Sequence, residues 1–206
     1  MQNFVAATNN EKKLTEIRDI LKSVGYGVMS LGESGIDTEI DEDGKTFMEN
    51  ALIKARTIHE MTKKATVADD SGLVVDALGG LPGVKTARYA GDGADDEQNI
   101  DKLLLALENV EFENRTARFV SAIAAVMQGG EEICTCGICE GYISFERRGE
   151  NGFGYDPVFL FLSNNRSFAE MGKEEKNIIS HRARALRKFA FLMRKIKRIR
   201  IKGYEI

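Results

Sequence analysis

Long apolar runs are missing from this chain of 206 residues. A membrane-crossing helix needs roughly 18 apolar residues in a row, and no segment approaches that length. The first residues, MQNFVAATNNEKK, also lack the basic and then apolar order of a secretory signal peptide. We therefore expect a cytoplasmic protein that uses no membrane. Its 43% hydrophobic and 30% charged residues are typical of a globular domain, and the length suits a single domain over 1–206.

Cysteine is scarce, and its three positions exclude the usual cysteine sites. Cys134, Cys136 and Cys139 are too few for a structural zinc site, which needs four nitrogen or sulfur ligands, and no histidine is near them. Cys136 and Cys139 have the spacing of a redox pair, but no helix start follows them. We expect reduced cysteines in a strand, which is consistent with a reducing compartment.

The chain also has no Walker phosphate-binding motif, no internal repeat and no low-complexity linker. Hydrophobic periodicity predicts a series of strands and helices in its place. Strands are predicted at Asn3–Thr8, Tyr26–Leu31, Ala65–Asp69, Thr116–Met127, Glu132–Phe145 and Val158–Leu162. Helices are predicted after Asn10, from Thr46 to about Lys63, at Asp95–Leu107 and from about Asn177. Strands that alternate with helices and then form a hairpin indicate an α/β domain with a mixed sheet.

Acidic residues dominate the body of the chain, whereas the C-terminal end is basic. From His181 onward there are ten Lys and Arg residues against one acid, and the rest of the chain has a net charge of −12. A basic terminus can contact nucleic acid. Apolar residues at helical spacing favour an amphipathic helix with a solvated basic face, followed by a basic tail at 197–206. We expect no stable nucleic-acid partner.

Two segments are suited to binding ions, the first an anion and the second a cation. TNNEKK, from Thr8 to Lys13, lies between a strand and a helix, where backbone N–H groups favour an anion, although an ordinary Asn-capped helix is the alternative. The acidic loop Asp37–Asp43 precedes a helix that carries Glu49 and Lys54. Acidic residues before a helix are favourable for structural reasons alone, because they interact with the helix dipole. The alternative is a Mg²⁺ site, since Mg²⁺ needs only one or two protein carboxylates when phosphates and water complete its shell.

Adjacent carboxylates at Asp69 and Asp70 end the third predicted strand, before a predicted turn at Ser71-Gly72. Neighbouring carboxylates repel each other and attract a cation, and the end of a strand is a usual ligand position in α/β proteins. Strand residues alternate in direction, so only one of the two is expected to face a given site. A structural Asp that caps the turn is the alternative.

Two later segments are suited to a base and to phosphate. GFGYDP, at 152–157, combines two aromatic rings for stacking with an acceptor, Asp156, although a glycine-rich turn has the same composition. Lys176 and the segment Ser180-His181-Arg182 offer donors for phosphate or for a base oxygen. The segments together match the requirements of a nucleoside triphosphate site, and adjacent acids beside a triphosphate favour an enzyme that uses a metal.

Six motifs in order resemble the family of non-standard purine nucleoside triphosphate pyrophosphatases, which act on inosine and xanthosine triphosphates. They cover residue 4 to about 190. The motifs are T-x-N-x-x-K (Thr8 to Lys13), D-E-x-G-x-T-F-x-E-N-A-x-x-K-A (Asp41 to Ala55), A-D-D-S-G-L (Ala68 to Leu73), L-G-G-x-P-G-x-x-T-A-R-Y (Leu78 to Tyr89), G-F-G-Y-D-P (Gly152 to Pro157) and E-K-x-x-I-S-H-R (Glu175 to Arg182).

This resemblance implies a two-lobed domain with a long central mixed sheet flanked by helices, a substrate cleft between the lobes, and a homodimer. It also implies Mg²⁺-dependent cleavage between the α and β phosphates of ITP, dITP or XTP. Such cleavage yields the nucleoside monophosphate and pyrophosphate and keeps deaminated purines out of DNA and RNA.

Site residues follow from the same resemblance, position by position. Glu42 and Asp70 are expected to bind the metal, with Glu42 preferred over Asp41 because of its spacing to Gly44, and Asp70 is also the expected proton acceptor. The residues expected to contact the nucleotide are Thr8, Asn9, Asn10, Glu11, Lys12, Lys13, Lys54, Ser71, Phe153, Gly154, Tyr155, Asp156, Lys176, His181 and Arg182. FERRGEN, at 145–151, and the basic end after Ile196 depart from the family pattern outside the motifs.

Other functions remain open at this point. A nucleotide- or nucleic-acid-binding protein without hydrolytic activity would use the basic C-terminus. A pyrophosphatase of other modified nucleotides would share the phosphate and metal residues.

Overall fold

A six-stranded sheet is the centre of the fold, in the order β2-β1-β3-β4-β5-β6. The computed structural model describes residues 3–38 and 40–201, with side chains to 198. The strands are β1 (Asn3–Ala6), β2 (Gly27–Met29), β3 (Thr66–Val75), β4 (Thr116–Val126), β5 (Glu132–Ile143) and β6 (Phe159–Phe161). The helices are α1 (Glu11–Lys22), α2 (Phe47–Thr62), α3 (Asp96–Ala106), α4 (Lys173–Ile179) and α5 (His181–Ile201).

Strand directions make the sheet mixed. β1 pairs in parallel with both β2 and β3, because α1 and α2 intervene along the chain. β5 and β6 are antiparallel, with Tyr142 opposite Leu160. The predicted α/β class with a mixed sheet flanked by helices is confirmed.

Local sequence signals set where the helices begin. Asn10 precedes α1, and its side-chain oxygen accepts from the N–H groups of Lys12 and Lys13. Thr46 and Glu49 form the predicted capping box at the start of α2. Asp95 and Gln98 form a second box before α3. These pairs satisfy the backbone donors that the first turn of a helix leaves open.

The chain forms two compact units. Unit 1 comprises 1–70, 122–137 and 183–206, and unit 2 comprises 71–121 and 138–182. The chain passes from one unit to the other inside β3, β4, β5 and the first turn of α5, rather than in a linker.

Unit 1 has a core on each face of its sheet. Phe4 and Ala6 of β1 belong to the core that contains α1 and α5, whereas Val5 and Ala7, the residue after β1, belong to the core that contains α2. This alternation follows from the two-residue period of a strand. Residues of β3 can therefore direct side chains toward α1 or toward α2.

Unit 2 has one core, in which α3 packs with the ends of β3 to β6. Arg115 is its largest fully buried side chain. Its guanidinium donates to the carbonyl oxygens of Leu107, Val110 and Ser144 at 2.6, 2.9 and 3.0 Å. Arg115 thus closes the end of α3 and ties it to the end of β5.

Two predicted boundaries are wrong. The third strand was expected to end at Asp69 before a turn at Ser71-Gly72, but β3 continues to Val75. Asp, Ser and Gly have low strand propensity, yet Leu73 and Val75 resume the alternation and are fully buried. The C-terminal helix was expected to begin near Asn177, but Ser180 is extended (ψ 155°) and separates α4 from α5.

The basic C-terminal end is largely helical. Residues 197–201 of the predicted tail belong to α5, and residues 202–206 lie outside the described part of the chain. Leu186, Phe189 and Met193 are buried in the core of unit 1, as the amphipathic pattern predicts, and Arg194, Lys195 and Arg198 are exposed.

The three cysteines lie in β5, the predicted strand, and only Cys139 of the three is buried. Among residues 3–38 and 40–201, no helix has the length and apolar character needed to cross a membrane.

Candidate functional site

Asp69 and Asp70 lie in the middle of β3 and face opposite sides of the sheet. Asp69 continues the row of Val67, which packs in the α1 core, and Asp70 continues the row of Ala68, which packs in the α2 core. Both carboxylates are buried, at 1% and 8% exposure. As predicted from strand geometry, the two acids serve different surroundings.

Asp69 holds a lysine of α1. Lys13 Nζ lies 2.8 Å from Asp69 Oδ2, and the Asp69 side chain is fully buried. A buried carboxylate needs a charged partner, and Lys13 is therefore fixed by the core rather than free at the surface.

Asp70 shares a lysine of α2 with the acidic loop. Lys54 Nζ lies 3.0 Å from Glu42 Oε2 and 3.6 Å from Asp70 Oδ1. Glu42 and Asp70 therefore both contact the Lys54 ammonium, whereas Asp41 is exposed. The two carboxylates expected to bind the metal are brought together, and they come from a loop and a strand far apart in sequence.

Asn50 contacts Asp70 and was not among the residues predicted from the sequence. It is 2% exposed, its Nδ2 donates to Asp70 Oδ2 at 3.2 Å, and its Oδ1 accepts from Gly44 N at 2.8 Å. A Cβ on Gly44 would lie 2.5 Å from that Oδ1, so this approach requires glycine. The available signal was a polar residue on the buried face of α2, one turn before Lys54.

Burial raises the pKa of Asp70 above its ordinary value. The Lys54 and Lys13 ammonium groups oppose the rise, and the negative charges of Glu42 and Asp69 add to it. A carboxyl in this environment has a higher proton affinity than an exposed one, and a cation placed near it would favour the ionised form.

The expected phosphate segment has a helix cap at its centre. Asn10 Oδ1 accepts from the N–H groups of Lys12 and Lys13 at 3.0 and 3.1 Å, and Asn10 N donates to Thr8 Oγ1 at 3.1 Å. Asn9, Glu11 and Lys12 are exposed. The Asn-capped helix that the sequence left open is therefore present, and two of the backbone donors considered for an anion are used by the cap.

Unit 2 contains a separate cluster around the ring of Phe153. Lys176 Nζ lies over this ring, 4.9 Å from its centre, and the Arg182 guanidinium carbon lies 5.8 Å from it. The Lys176 ammonium is paired with Asp156, which is 2% exposed and also accepts from Phe153 N at 2.9 Å. Asp156 therefore orients Lys176 and the loop, and its carboxylate faces the protein.

The remaining predicted residues of unit 2 surround this cluster. Arg182 donates to Ser71 Oγ at 2.9 Å. The His181 ring is buried and stacks on Phe119, with ring centres 4.7 Å apart. Tyr155 is 4% exposed, and its hydroxyl donates to Thr86 O at 2.8 Å, so the aromatic ring available for stacking is Phe153.

Comparison with known proteins identifies the protein family of this chain. A model of the Ham1 family matches residues 4–192. The chain belongs to the Ham1 family. A protein of Bacillus licheniformis named dITP/XTP pyrophosphatase is 51% identical over 193 residues, which is 94% of this chain and 98% of that protein. A protein of the same name from Bacillus subtilis is 48% identical over the same shares.

Solved structures agree with this assignment. The Ham1 protein of Coxiella burnetii has a TM-score of 0.88 and 40% identity, and the comparison covers 95% of this chain and all of that one. The Staphylococcus aureus Ham1 protein has a TM-score of 0.86 and 38% identity, with 93% and 98% covered. The resemblance noted in the sequence is confirmed.

Proposed function

We propose that this chain hydrolyses the non-standard purine nucleoside triphosphates ITP, dITP and XTP to the nucleoside monophosphate and pyrophosphate. The observation that carries the proposal is the pair of carboxylates, Glu42 and Asp70, held on the Lys54 ammonium. Relatives about half identical to this chain and named dITP/XTP pyrophosphatase support the substrate class.

Glu42 and Asp70 fit a Mg²⁺ ion that arrives with its substrate. Their oxygens are hard donors, and their positions around one ammonium suit a cation. Within the described residues, no group of three or more His, Cys, Asp or Glu side chains is suited to a metal. Two carboxylates suffice for Mg²⁺ when triphosphate oxygens and water complete the shell. When bound, the ion would neutralise phosphate charge and lower the pKa of a bound water.

Asp70 is the group that we assign to proton transfer. Water is a poor nucleophile, and a carboxylate beside it can orient it and accept its proton as the bond between the α and β phosphates breaks. Asn50 holds Asp70 Oδ2, which leaves Asp70 Oδ1 on the side of Lys54.

Lysines of unit 1 supply the positive charge for phosphate. Lys54 contacts the carboxylates of Glu42 and Asp70, and Lys13 forms an ion pair with Asp69. We assign both to the triphosphate, with the segment Thr8–Lys13 contributing side-chain and backbone donors. Because Asp69 already holds the Lys13 ammonium in place, Lys13 loses little side-chain entropy when it binds a phosphate.

The cluster of unit 2 is suited to a purine with a 6-oxo group. Phe153 offers a stacking face, and Lys176, Arg182 and His181 offer donors, with Ser71, Gly154, Tyr155 and Asp156 shaping or holding these groups. Hypoxanthine and xanthine present an acceptor at position 6, whereas adenine presents an N–H group to the same donors. An unsatisfied buried donor costs roughly 1–3 kcal/mol, which selects against adenine.

We further propose a cytoplasmic homodimer that removes deaminated purine nucleotides before polymerases use them. Three clustered cysteines in one strand, too few for a structural zinc site, suit a reducing compartment. Sedimentation of the purified protein would test the dimer.

A substrate panel with product identification tests the reaction. The protein is incubated with ITP, dITP, XTP, ATP, GTP, dUTP and dTTP, with Mg²⁺ or with a chelator, and both pyrophosphate and orthophosphate are assayed. Pyrophosphate from ITP, dITP and XTP, and only with Mg²⁺, is expected. No pyrophosphate from any nucleotide would leave a non-catalytic binder. Preference for dUTP or dTTP would overturn the substrate class, and orthophosphate in place of pyrophosphate would overturn the assigned bond.

A further inference from the structure

The loop that carries Phe153 is attached to the first turn of α3. Residues 145–157, which we call the base loop, run from the end of β5 toward β6. Gly154 N donates to Asp96 Oδ2 at 2.7 Å. Asp96 is the first residue of α3 and lies outside the six motifs that carry the family resemblance.

A second contact joins the beginning of the same loop to the same helix. Arg147 Nε lies 2.8 Å from Glu97 Oε2, and Arg147 Nη2 lies 2.6 Å from Asp101 Oδ1. Arg147 Nη2 also donates to Glu97 O at 3.3 Å. Helix α3 therefore holds the base loop at Arg147, before its glycines, and at Gly154, the last of them.

The contact at Gly154 bears directly on the Phe153 ring. The bonded N–H belongs to the peptide between Phe153 and Gly154, so its orientation sets where the Phe153 ring projects. The preceding N–H, that of Phe153, is held by Asp156, and the following side chain, that of Tyr155, is held by Thr86 O. Asp96 supplies the anchor between these two, and it comes from another element.

The acceptor at this anchor is a carboxylate, and it is exposed to solvent. A backbone N–H that donates to a carboxylate forms a shorter and stronger bond than one that donates to a neutral oxygen. Gly154 has φ +58°, a conformation that favours glycine, and the external acceptor helps to hold it there.

We propose that Asp96 is a positioning residue for base selection, which sets the Phe153 ring beneath Lys176 and Arg182 through the Gly154 N–H. This inference rests on the proposed function, because it concerns recognition of the base. Asp96 touches no substrate atom in this role. Its removal is expected to weaken binding of a 6-oxopurine and to leave the hydrolytic step unchanged.

Three variants of the full chain test this role. Asp96→Ala removes the acceptor, Asp96→Asn keeps an oxygen that can accept from Gly154 N, and Asp92→Ala removes an exposed carboxylate from the loop before α3 as a matched control. The measurements are KM and kcat for ITP and for ATP, together with amide hydrogen exchange of residues 150–157.

For Asp96→Ala we expect KM for ITP to rise roughly three- to fivefold, the effect of losing one solvent-exposed hydrogen bond, with kcat within about twofold. The ITP-to-ATP selectivity falls, because ATP does not depend on donors placed for a 6-oxo group. Exchange in the base loop becomes faster. Asp96→Asn has KM for ITP and loop exchange close to those of the wild type, and Asp92→Ala changes neither KM nor exchange.

Unchanged KM and unchanged exchange in Asp96→Ala would overturn the inference, and so would an equal KM rise in Asp92→Ala or in Asp96→Asn. The exchange measurement requires no hydrolysis. If the wild type released no pyrophosphate from ITP, the proposed function would fail whatever the exchange result, so the two failures are distinguishable.

Discussion

Lys54 Nζ lies 3.6 Å from Asp70 Oδ1, and Glu42 is on the same ammonium at 3.0 Å. The lysine from α2 thus brings a strand residue and a loop residue to one point of positive charge.

Asp70→Asn is expected to abolish most of the activity. The amide cannot accept the proton of a water, and loss of a general base lowers kcat by roughly 10²- to 10⁴-fold. Pyrophosphate release from ITP under saturating Mg²⁺ measures this. Asp92→Asn, at an exposed position, is the matched control. An Asp70→Asn enzyme with normal kcat would remove Asp70 from its role as the base.

The same variant is expected to be more stable than the wild type at neutral pH when no metal is present. Because the pKa of Asp70 is raised by burial, the folded protein binds this proton more tightly than the unfolded chain does. The wild type therefore loses stability as pH rises from the ordinary value of 3.8 through the raised pKa, and asparagine has no such loss. Thermal unfolding with a chelator should show a Tm advantage for Asp70→Asn at pH 7.5 that shrinks as pH falls toward about 4. An advantage that stayed constant with pH would contradict this explanation.

Loss of the Lys13 ammonium is expected to destabilise the fold strongly. Lys13→Met leaves the fully buried Asp69 carboxylate without its lysine, and removing one partner of a buried pair costs roughly 3–5 kcal/mol. Arg56→Met is the matched control, because the Arg56–Glu132 pair is 52% and 35% exposed, and exposed pairs contribute roughly 0–1 kcal/mol. Urea unfolding measures both variants, and equal losses would show that burial of the pair is unimportant.

Gly152→Ala is expected to damage the base loop. Gly152 has φ +86°, and a Cβ there would overlap Asp156 Oδ2, which holds Phe153 N and Lys176. Backbone strain of this kind costs roughly 1–3 kcal/mol, and displacing Asp156 adds a rise in KM for ITP. Gly79→Ala, at φ +61° in open space, separates strain from overlap. It should lose stability without a change in KM. A normal KM in Gly152→Ala would show that Asp156 tolerates displacement.

Local patterns in the sequence were enough to predict most of the helices and strands. The capping box at Thr46 and Glu49 fixes the start of α2, and the alternation of apolar residues fixes β4 and β5, because these signals act within a few residues. The six motifs also identified the residues that meet at Lys54.

Long-range contacts account for what the sequence did not predict. β3 continues through Asp69 and Asp70 because lysines from two different helices neutralise them, and a single-segment pattern contains no trace of those partners. Asn50 was missed because its partners, Gly44 and Asp70, are on other elements. The break at Ser180 likewise reflects tertiary packing, since Ser, His and Arg are all compatible with a continuous helix.

The aromatic ring of Phe4 in β1 packs edge to face against that of Phe189 in α5, with ring centres 6.1 Å apart. The core around β1 is therefore complete only after α5 has been synthesised, and almost all of unit 2 is made between these two elements. Until α5 has been made, the part of the β1 face that packs against Phe189 has no cover from that helix. Nascent chains that stop before about residue 185 should accordingly remain bound to chaperones, because domains fold as units and exposed apolar strands aggregate.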